Sequence, residues 1–281
     1  MNQLPIEKKT LILTLLAEGN SLRSISRISG VARNTISSLL LTAGESARDI
    51  LDREMVNLEI KRLECDEIWT YVIKKQKQLS PEERESDQLG DQYVFVALDP
   101  VTKLVPTFHV GRRTLSNATS FMYDLKNRIR TKFQLTTDSF SAYTDAVDFV
   151  FGGDVDYAQI HKQYKAEPYG GTHRYSPAKV TGVIIKPITG QPVNRFISTS
   201  LVERQNLTMR MQMRRFTRLT NAFSKSLKHL KAALALHFFH YNFMRIHQTT
   251  RVTPAMEAKI TKHLWTWEEL LGLENEQKMA A

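Results

Sequence analysis

The sequence predicts an α/β protein: a mixed sheet flanked by helices, with an all-α segment ahead of it. Two observations carry this prediction. Over the first 59 residues apolar side chains recur at helical spacing, punctuated by Gly19, Gly30 and Gly44. From residue 60 to 160, short runs rich in β-branched and aromatic residues alternate with amphipathic stripes.

Taken in order, residues 5–18 place Ile6, Leu11, Leu15 and Leu16 on one helical stripe that ends at Gly19. Ser21 opens a short second helix with Leu22, Ile25 and Ile28 inward, Gly30 makes the tight turn, and Val31 plugs the core beneath it. A third helix buries Ile36, Leu39 and Leu40 and is expected to stop at Gly44. Helix, short helix, glycine turn, helix is helix-turn-helix spacing, and the exposed start of the third helix offers Arg33, Asn34, Thr35 and Ser37 to phosphates and base edges. The acid-rich residues 45–59 read as a helical connector.

The stretch 60–74 alternates as a strand, with Glu64, Asp66, Ile68, Thr70 and Val72 on one face and Cys65, Glu67, Trp69 and Tyr71 on the other. A polar loop at 80–91 leads to strands at 92–99 and 103–110 joined around Pro100. A helix at 115–129, a strand at 133–140, a turn and helix, and a last short strand at 156–160 follow. A three-stranded meander, helix, strand, helix and strand is a ribonuclease H-like order. The expected division is a helix-turn-helix domain at 1–45, a connector at 46–59, a catalytic domain at 60–261 with a basic insertion at 161–196, and a helical tail at 262–281.

Composition narrows the function classes. The chain has 281 residues, a formal net charge of +10, 42% hydrophobic and 24% charged residues, and so is not broadly disordered. The start carries Glu7 and no uninterrupted apolar core, unlike a signal peptide. The most apolar later stretch, 232–244, carries His237, His240 and Asn242 and is too short and polar to span a bilayer. A single cysteine, Cys65, excludes an intrachain disulfide and a multi-cysteine zinc site. A soluble intracellular protein without membrane partners is expected.

The positive charge is clustered. Residues 1–59 hold seven Lys/Arg and seven Asp/Glu, whereas residues 158–231 hold 14 Lys/Arg against two acids, Glu167 and Glu203. Such clustering is what phosphate neutralisation requires. Charge alone does not separate RNA, DNA and an anionic membrane.

Two acids lie where a buried strand should not spend charge: Asp66 in mid-strand and Asp138 where a strand leaves the sheet. The third candidate is Glu203, near the start of a helix at 198–216 on which Glu203, Asn206, Arg210 and Arg214 share a face. Each has a structural alternative. Asp66 can pair with a core arginine, leaving Glu67 as the functional acid; Asp138 can cap the next helix; Ser200 to Glu203 fits a capping box. Three carboxylates without a cysteine or histidine cluster suit Mg²⁺ or Mn²⁺, not zinc.

The segments CDEIWTYV (65–72), TTDSFSAY (136–143), STSLVERQNLTMRMQMRRFTRLTNAFSKS (198–226) and HYNFMRIHQTTRVTPAME (240–257) resemble the DDE transposases of the insertion-sequence-one family, within the retroviral integrase superfamily. The resemblance runs from the helix-turn-helix to about Thr261, and its VERQNLTMRM block is the most specific part. It implies a ribonuclease H-like catalytic domain, two divalent metal ions, and cleavage and joining of double-stranded transposon ends into target DNA. The family's three acids fall on Asp66, Asp138 and Glu203, separated by 71 and 64 residues. The second interval is longer than in compact integrase cores and holds the basic insertion. No cysteines precede the helices for the zinc finger of long family members. Either the helix-turn-helix alone recognises the element's ends, or the copy is truncated and inactive.

On this reading Asp66, Asp138 and Glu203 are the catalytic metal ligands. Arg204, Arg210, Arg214, Arg215 and Arg218 hold phosphates near them, and Lys225, Lys228 and Lys231 extend the track. Tyr241, Asn242, Arg245 and His247 either brace the fold or contact DNA. Trp69 is expected in the core. A homo-oligomer in a synaptic complex and a cytoplasmic, nucleoid-associated location in a prokaryote are implied. The rivals are a structure-specific nuclease on the same fold and a catalytically inactive helix-turn-helix regulator. A glycosidase has no use for the basic stretch.

Overall fold

Residues 6–54 form three helices and their connecting turns in the computed structural model, which describes residues 4–164 and 180–272. Helix α1 (Ile6–Ala17) buries Ile12, Leu13 and Ala17, so the apolar stripe is rotated from the expected one and leaves Leu11 in solvent. In α2 (Leu22–Ser29) the Ser21 hydroxyl accepts from the Ser24 N–H, and Gly30 closes the helix at φ +70°. Ile28, expected inward, is exposed. Ile12, Ile25, Val31 and Ile36 make a small core that fastens α1 and α2 to α3 (Arg33–Glu54).

Gly44 does not end α3. The helix runs on through the first part of the expected connector because Gly44 is a packing residue: a Cβ there would stand 2.6 Å from the backbone of Ala232. A glycine at a helix crossing lets two backbones approach where any side chain would hold them apart. That crossing ties the N-terminal helices to the rest of the molecule, and Leu40, Ala43 and Ala47 belong to the same core as the sheet.

Strand β1 (Arg62–Val72) is central. A one-turn helix α4 (Pro81–Arg84), closed by a Ser80–Glu83 capping box, interrupts the polar loop before β2 (Gly90–Leu98). Strand β3 (Phe108–Gly111) is much shorter than the expected 103–110. Asn242 explains the loss: its side chain accepts from the Val105 N–H at 3.0 Å and donates to the Val105 carbonyl at 2.9 Å, taking the place of a ladder partner. Helices α5 (Leu115–Arg128) and α6 (Ser141–Phe151) follow as expected, whereas β4 (Phe133–Thr137) stops before Asp138 and β5 (Val155–Tyr164) runs past the expected 156–160 into the basic insertion.

A sixth strand, β6 (Val180–Thr189), lies inside the basic insertion and pairs antiparallel with β5. Its internal Gly182 and Pro187 hide it in sequence; proline is tolerated because β6 is an edge strand. The sheet order is β3-β2-β1-β4-β5-β6, with β1–β4 and β4–β5 parallel and the other pairs antiparallel. The chain is thus α/β, with a six-stranded mixed sheet flanked by helices.

The helix expected at 198–216 is α7 (Ser200–Gln212) and a 3₁₀ turn at Arg214–Phe216, broken at Met213. Helix α8 (Leu227–Phe239) passes into a π turn at His240–Met244, and α9 (Pro254–Glu257) and α10 (Trp267–Leu270) are the last elements among the described residues. Trp267 Nε1 donates to Thr14 Oγ1 at 2.9 Å, docking α10 on α1. Within the basic insertion and the C-terminal tail, residues 165–179 and 273–281 lie outside the described residues. No described helix is long and apolar enough to cross a membrane.

Candidate active site

Parallel pairing of β1 with β4 aligns Cys65 with Thr137, so the next residues, Asp66 within β1 and Asp138 just past the end of β4, stand at the same level. Carboxylate oxygens of Asp66, Glu67 and Asp138 lie within 4.8 Å of one another. Burial, and secondarily the charge of Asp138, pushes the Asp66 carboxyl from 3.8 up to about 7. The same two causes, in the same order, lift Glu67 from 4.5 to about 7. Three acids crowded in a half-dry corner repel one another, and such a cluster favours a cation or a proton.

Arg113 supplies part of the missing positive charge. Its Nε stands 3.2 Å from Glu67 Oε2 and its Nη2 3.4 Å from Asp138 Oδ2, while its guanidinium lies 4.0 Å from the centre of the Phe140 ring. The arginine beside the acids is therefore not a core residue paired with Asp66 but the exposed Arg113, which serves Glu67 and Asp138. Asp138 Oδ1 accepts from the Phe140 N–H at 3.0 Å, so this acid also shapes the entry into α6.

Helix α7 is placed by an acid that sequence reasoning did not single out. Buried Glu64 accepts from the N–H groups of Leu201 and Val202 at 2.8 and 3.1 Å, and burial raises its pKa. It satisfies the first turn of α7 from another strand, where a carboxylate also meets the positive helix end. The Ser200–Glu203 capping box is therefore not formed. One turn along, Asn206 Nδ2 donates to Asp66 Oδ2 at 2.8 Å.

Glu203 lies one turn before Asn206 and its charge acts on Asp66, yet its carboxylate does not join the three-acid cluster. It accepts from Thr199 Oγ1 at 2.6 Å and forms an ion pair with Lys162 on β5. The structure thus brings Asp66 and Asp138 together, adds Glu67, and holds Glu203 nearby on a lysine.

Of the residues expected to meet DNA, Arg33, Asn34 and Thr35 are exposed on the first turn of α3, whereas Ser37 is engaged with His229 Nε2 at 2.8 Å. Arg204, Arg214, Arg218 and Lys225 are exposed. Arg210 is half-buried, and desolvation together with Arg218 lowers its pKa while Asp66 raises it. Arg215 donates to Ser224 Oγ at 3.2 Å, and burial lowers its pKa to about 10. Lys228 pairs with Glu45 at 3.0 Å. Tyr241 and Asn242 are bracing residues: the Tyr241 hydroxyl donates to the Lys103 carbonyl, and Asn242 holds Val105.

A groove of about 860 Å³ lies between the N-terminal helices and the segment after α7; Arg23, Arg33, Arg214, Arg215 and Lys225 line it without an acid among the described residues. Sequence reasoning missed Glu64, Arg113 and Lys162. Glu64 carries the same signal as Asp66, an acid in a buried strand. Arg113 follows β3 and Lys162 sits in a basic run, and neither has a local sign of its role.

No family model and no curated protein matches this chain. Among solved structures it is similar to a piggyBac transposase in a synaptic complex with hairpin DNA, at 10% identity over 100% of this chain and 75% of that one, with a TM-score of 0.43. It is also similar to Mos1 transposase in a paired-end complex with the left transposon end, at 10% identity over 56% of this chain and 60% of that one, with a TM-score of 0.23. Both likenesses are distant.

Proposed function

We propose that this chain is a DNA transposase of the insertion-sequence-one type on a ribonuclease H-like fold, one that cleaves transposon ends and joins them to target DNA. The observation that carries the proposal is the convergence of Asp66 and Asp138 from adjacent parallel strands, within 4.8 Å of each other and of Glu67. The resemblance of 198–226 to that family supports it.

The donors fit a hard divalent cation. All are carboxylates, two are raised to about 7 by burial and mutual repulsion, and Glu67 Oε1 is buried without a partner. Asp66 and Asp138 would hold Mg²⁺ or Mn²⁺, with Glu203 completing a second position once it leaves Lys162. Bound there, a pair of such ions supplies Lewis-acid stabilisation of the phosphate and a more acidic attacking hydroxyl. The chain's own residues do the rest. Asn206 fixes the rotamer of Asp66, Arg113 steadies Asp138, and Lys162, released by Glu203, faces a phosphate. Arg204, Arg210, Arg214 and Arg218 neutralise the strand beside the acids.

Residues 1–45 are proposed as a helix-turn-helix domain in which Arg33, Asn34 and Thr35 meet double-stranded DNA, and 60–261 as the catalytic domain. Joining two ends calls for a homo-oligomer, and the host is a prokaryote in which the protein works at the nucleoid. The second reading is a catalytically inactive DNA-binding regulator, favoured by the Lys162–Glu203 pair, which keeps the third acid out of the cluster.

The test is cleavage and joining of labelled DNA carrying the element's ends, with Mg²⁺, by wild type and by Asp66→Asn, Asp138→Asn, Glu203→Gln and Glu67→Gln. The transposase reading expects joined products from wild type, none from the first three variants with DNA binding retained, and substantial activity from Glu67→Gln. Cutting without joining identifies a nuclease, and DNA binding indifferent to metal and to all four changes identifies the regulator. Full activity in Glu203→Gln with loss in Glu67→Gln transfers the third role to Glu67.

A further inference from the structure

Beyond Asp66 the outer face of β1 does something the sequence does not suggest. Ile68, Thr70 and Val72 are buried, but Trp69 emerges 40% exposed, contrary to its expected place in the core. Its ring lies 5.5 Å from that of Tyr71, which stacks on Phe223 at 4.7 Å and 28°. The three rings form an open shelf along a groove of about 660 Å³, lined also by Lys75, Arg210 and Arg218 and by no acid among the described residues. Lys75 Nζ sits 5.7 Å over Trp69, and Lys225 Nζ 3.2 Å over Phe223.

The shelf is built, not incidental. Ser224, fully buried, accepts from the Ile73 N–H at 2.9 Å through its carbonyl and from Arg215 through its hydroxyl, which pins Phe223 against the end of β1. Ile73, just past the end of β1, and Leu219, in the groove lining, both hold positive φ, +63° and +59°. That conformation is unfavourable for a β-branched residue, and strain of this kind persists only where surrounding contacts impose it. Leu219 stands at the loop tip, 82% exposed between Arg218 and Thr220.

We propose that this shelf is a binding site for an unstacked DNA base beside the acidic cluster, with Leu219 filling the space the base vacates. Stacked aromatic faces accept any base, and the flanking cations hold its phosphates. An exposed apolar side chain on a basic loop is the wedge that unstacks a base step. Trp69 lies about 10 Å along β1 from Asp66 and on the opposite face, but Arg210, one turn after the Asn206 that holds Asp66, lines the same groove, so an extruded nucleotide would lie near the phosphate to be cut. The proposal rests on the nucleic-acid reading above and adds the kind of DNA the site takes, a distorted or single-stranded one.

Full-length protein is tested with forked duplexes carrying 2-aminopurine at the first unpaired position, and with matched fully paired duplexes, without divalent metal. Wild type should quench the 2-aminopurine and prefer the fork. Trp69→Ala should abolish quenching and weaken fork binding roughly tenfold with paired binding unchanged, while Trp69→Phe keeps most of both and Leu219→Ala reduces the preference. Unchanged quenching and affinity in a folded Trp69→Ala overturn the proposal. So does a smaller assembly in sedimentation with fork binding intact, which would mean that the shelf packs against a second copy. Asp66→Asn separates the two ideas: cleavage undiminished in that variant defeats the catalytic reading, while quenching reports on the shelf alone.

Discussion

Asp66 and Glu67 are adjacent in sequence and leave β1 on opposite sides, yet both stand beside Asp138 and both hold protons near neutrality. Each carboxyl has a folded pKa near 7 and an ordinary value of 3.8 or 4.5. Between those values the folded chain keeps protons that the unfolded chain has lost. Their contribution to stability is therefore intact below about pH 4 and is lost as pH rises through 7. In chelator at pH 8, Asp66→Asn should raise stability on the order of 2 kcal/mol, several degrees in a thermal melt, and narrow the difference between pH 6.5 and pH 8. A lower melting temperature for the variant at pH 8 would mean that the acids do not strain the metal-free fold. Asp66, Glu67 and Asp138 were legible as charges in or at the end of apolar strands, whereas Glu64, with the same signal, was passed over because nothing in the sequence marks the helix it holds. The counter-ions were not legible: Arg113 and Lys162 come from distant segments, and their partners are set by the sheet order rather than by any spacing.

At the scale of elements, strands and helices with clean periodicity were readable and their ends were not. The succession of core strands and helices along the chain followed from the alternation of patterns, whereas β6 was concealed by Gly182 and Pro187, and β3 was cut short by Asn242 from a distant π turn. Gly44 read as a stop because glycine has two uses, and only the partner helix decides between them. Gly44→Val should clash with Ala232 across the α3–α8 crossing and destabilise the chain by about 1–3 kcal/mol in urea denaturation; a neutral result would show the helices free to separate. On α8, His237 is buried with both ring nitrogens unpartnered, and burial lowers its pKa from 6.5 to about 3. Its contribution is intact above 6.5 and fades as pH falls toward 3, since the unfolded chain takes a proton that the folded one refuses. Lowering pH from 7.5 to 5 should therefore cost wild type on the order of 2 kcal/mol more than His237→Phe, measured by denaturant titration at both pH values.

Across the whole molecule the basic surplus is arranged as a path. Arg23 and Arg33 on the N-terminal helices and Arg214, Arg215 and Lys225 after α7 line one groove; Arg215 also lines the aromatic groove, where Arg210 stands between the charges of Arg218 and Asp66. The crossing of α3 on α8 holds the two ends of this path in fixed relation, so on the proposed reading a duplex lying on the first turn of α3 would be presented to the segment after α7. Some cations elsewhere are spent on acids, as Arg128 is on Asp52 and Asp124, and Lys132 on Asp156. A phosphate contact releases a counterion, so each path residue in use should add close to one unit to the slope of log affinity against log salt. Arg33→Ala and Arg214→Ala should each lower that slope by about one and weaken paired DNA uniformly across sequences, while Lys132→Ala leaves it unchanged. Because the two ends are rigidly connected, the double variant should lose the sum of both slopes. A double variant no weaker than either single one would mean that DNA touches one end at a time, and the N-terminal helices would then serve a separate binding event.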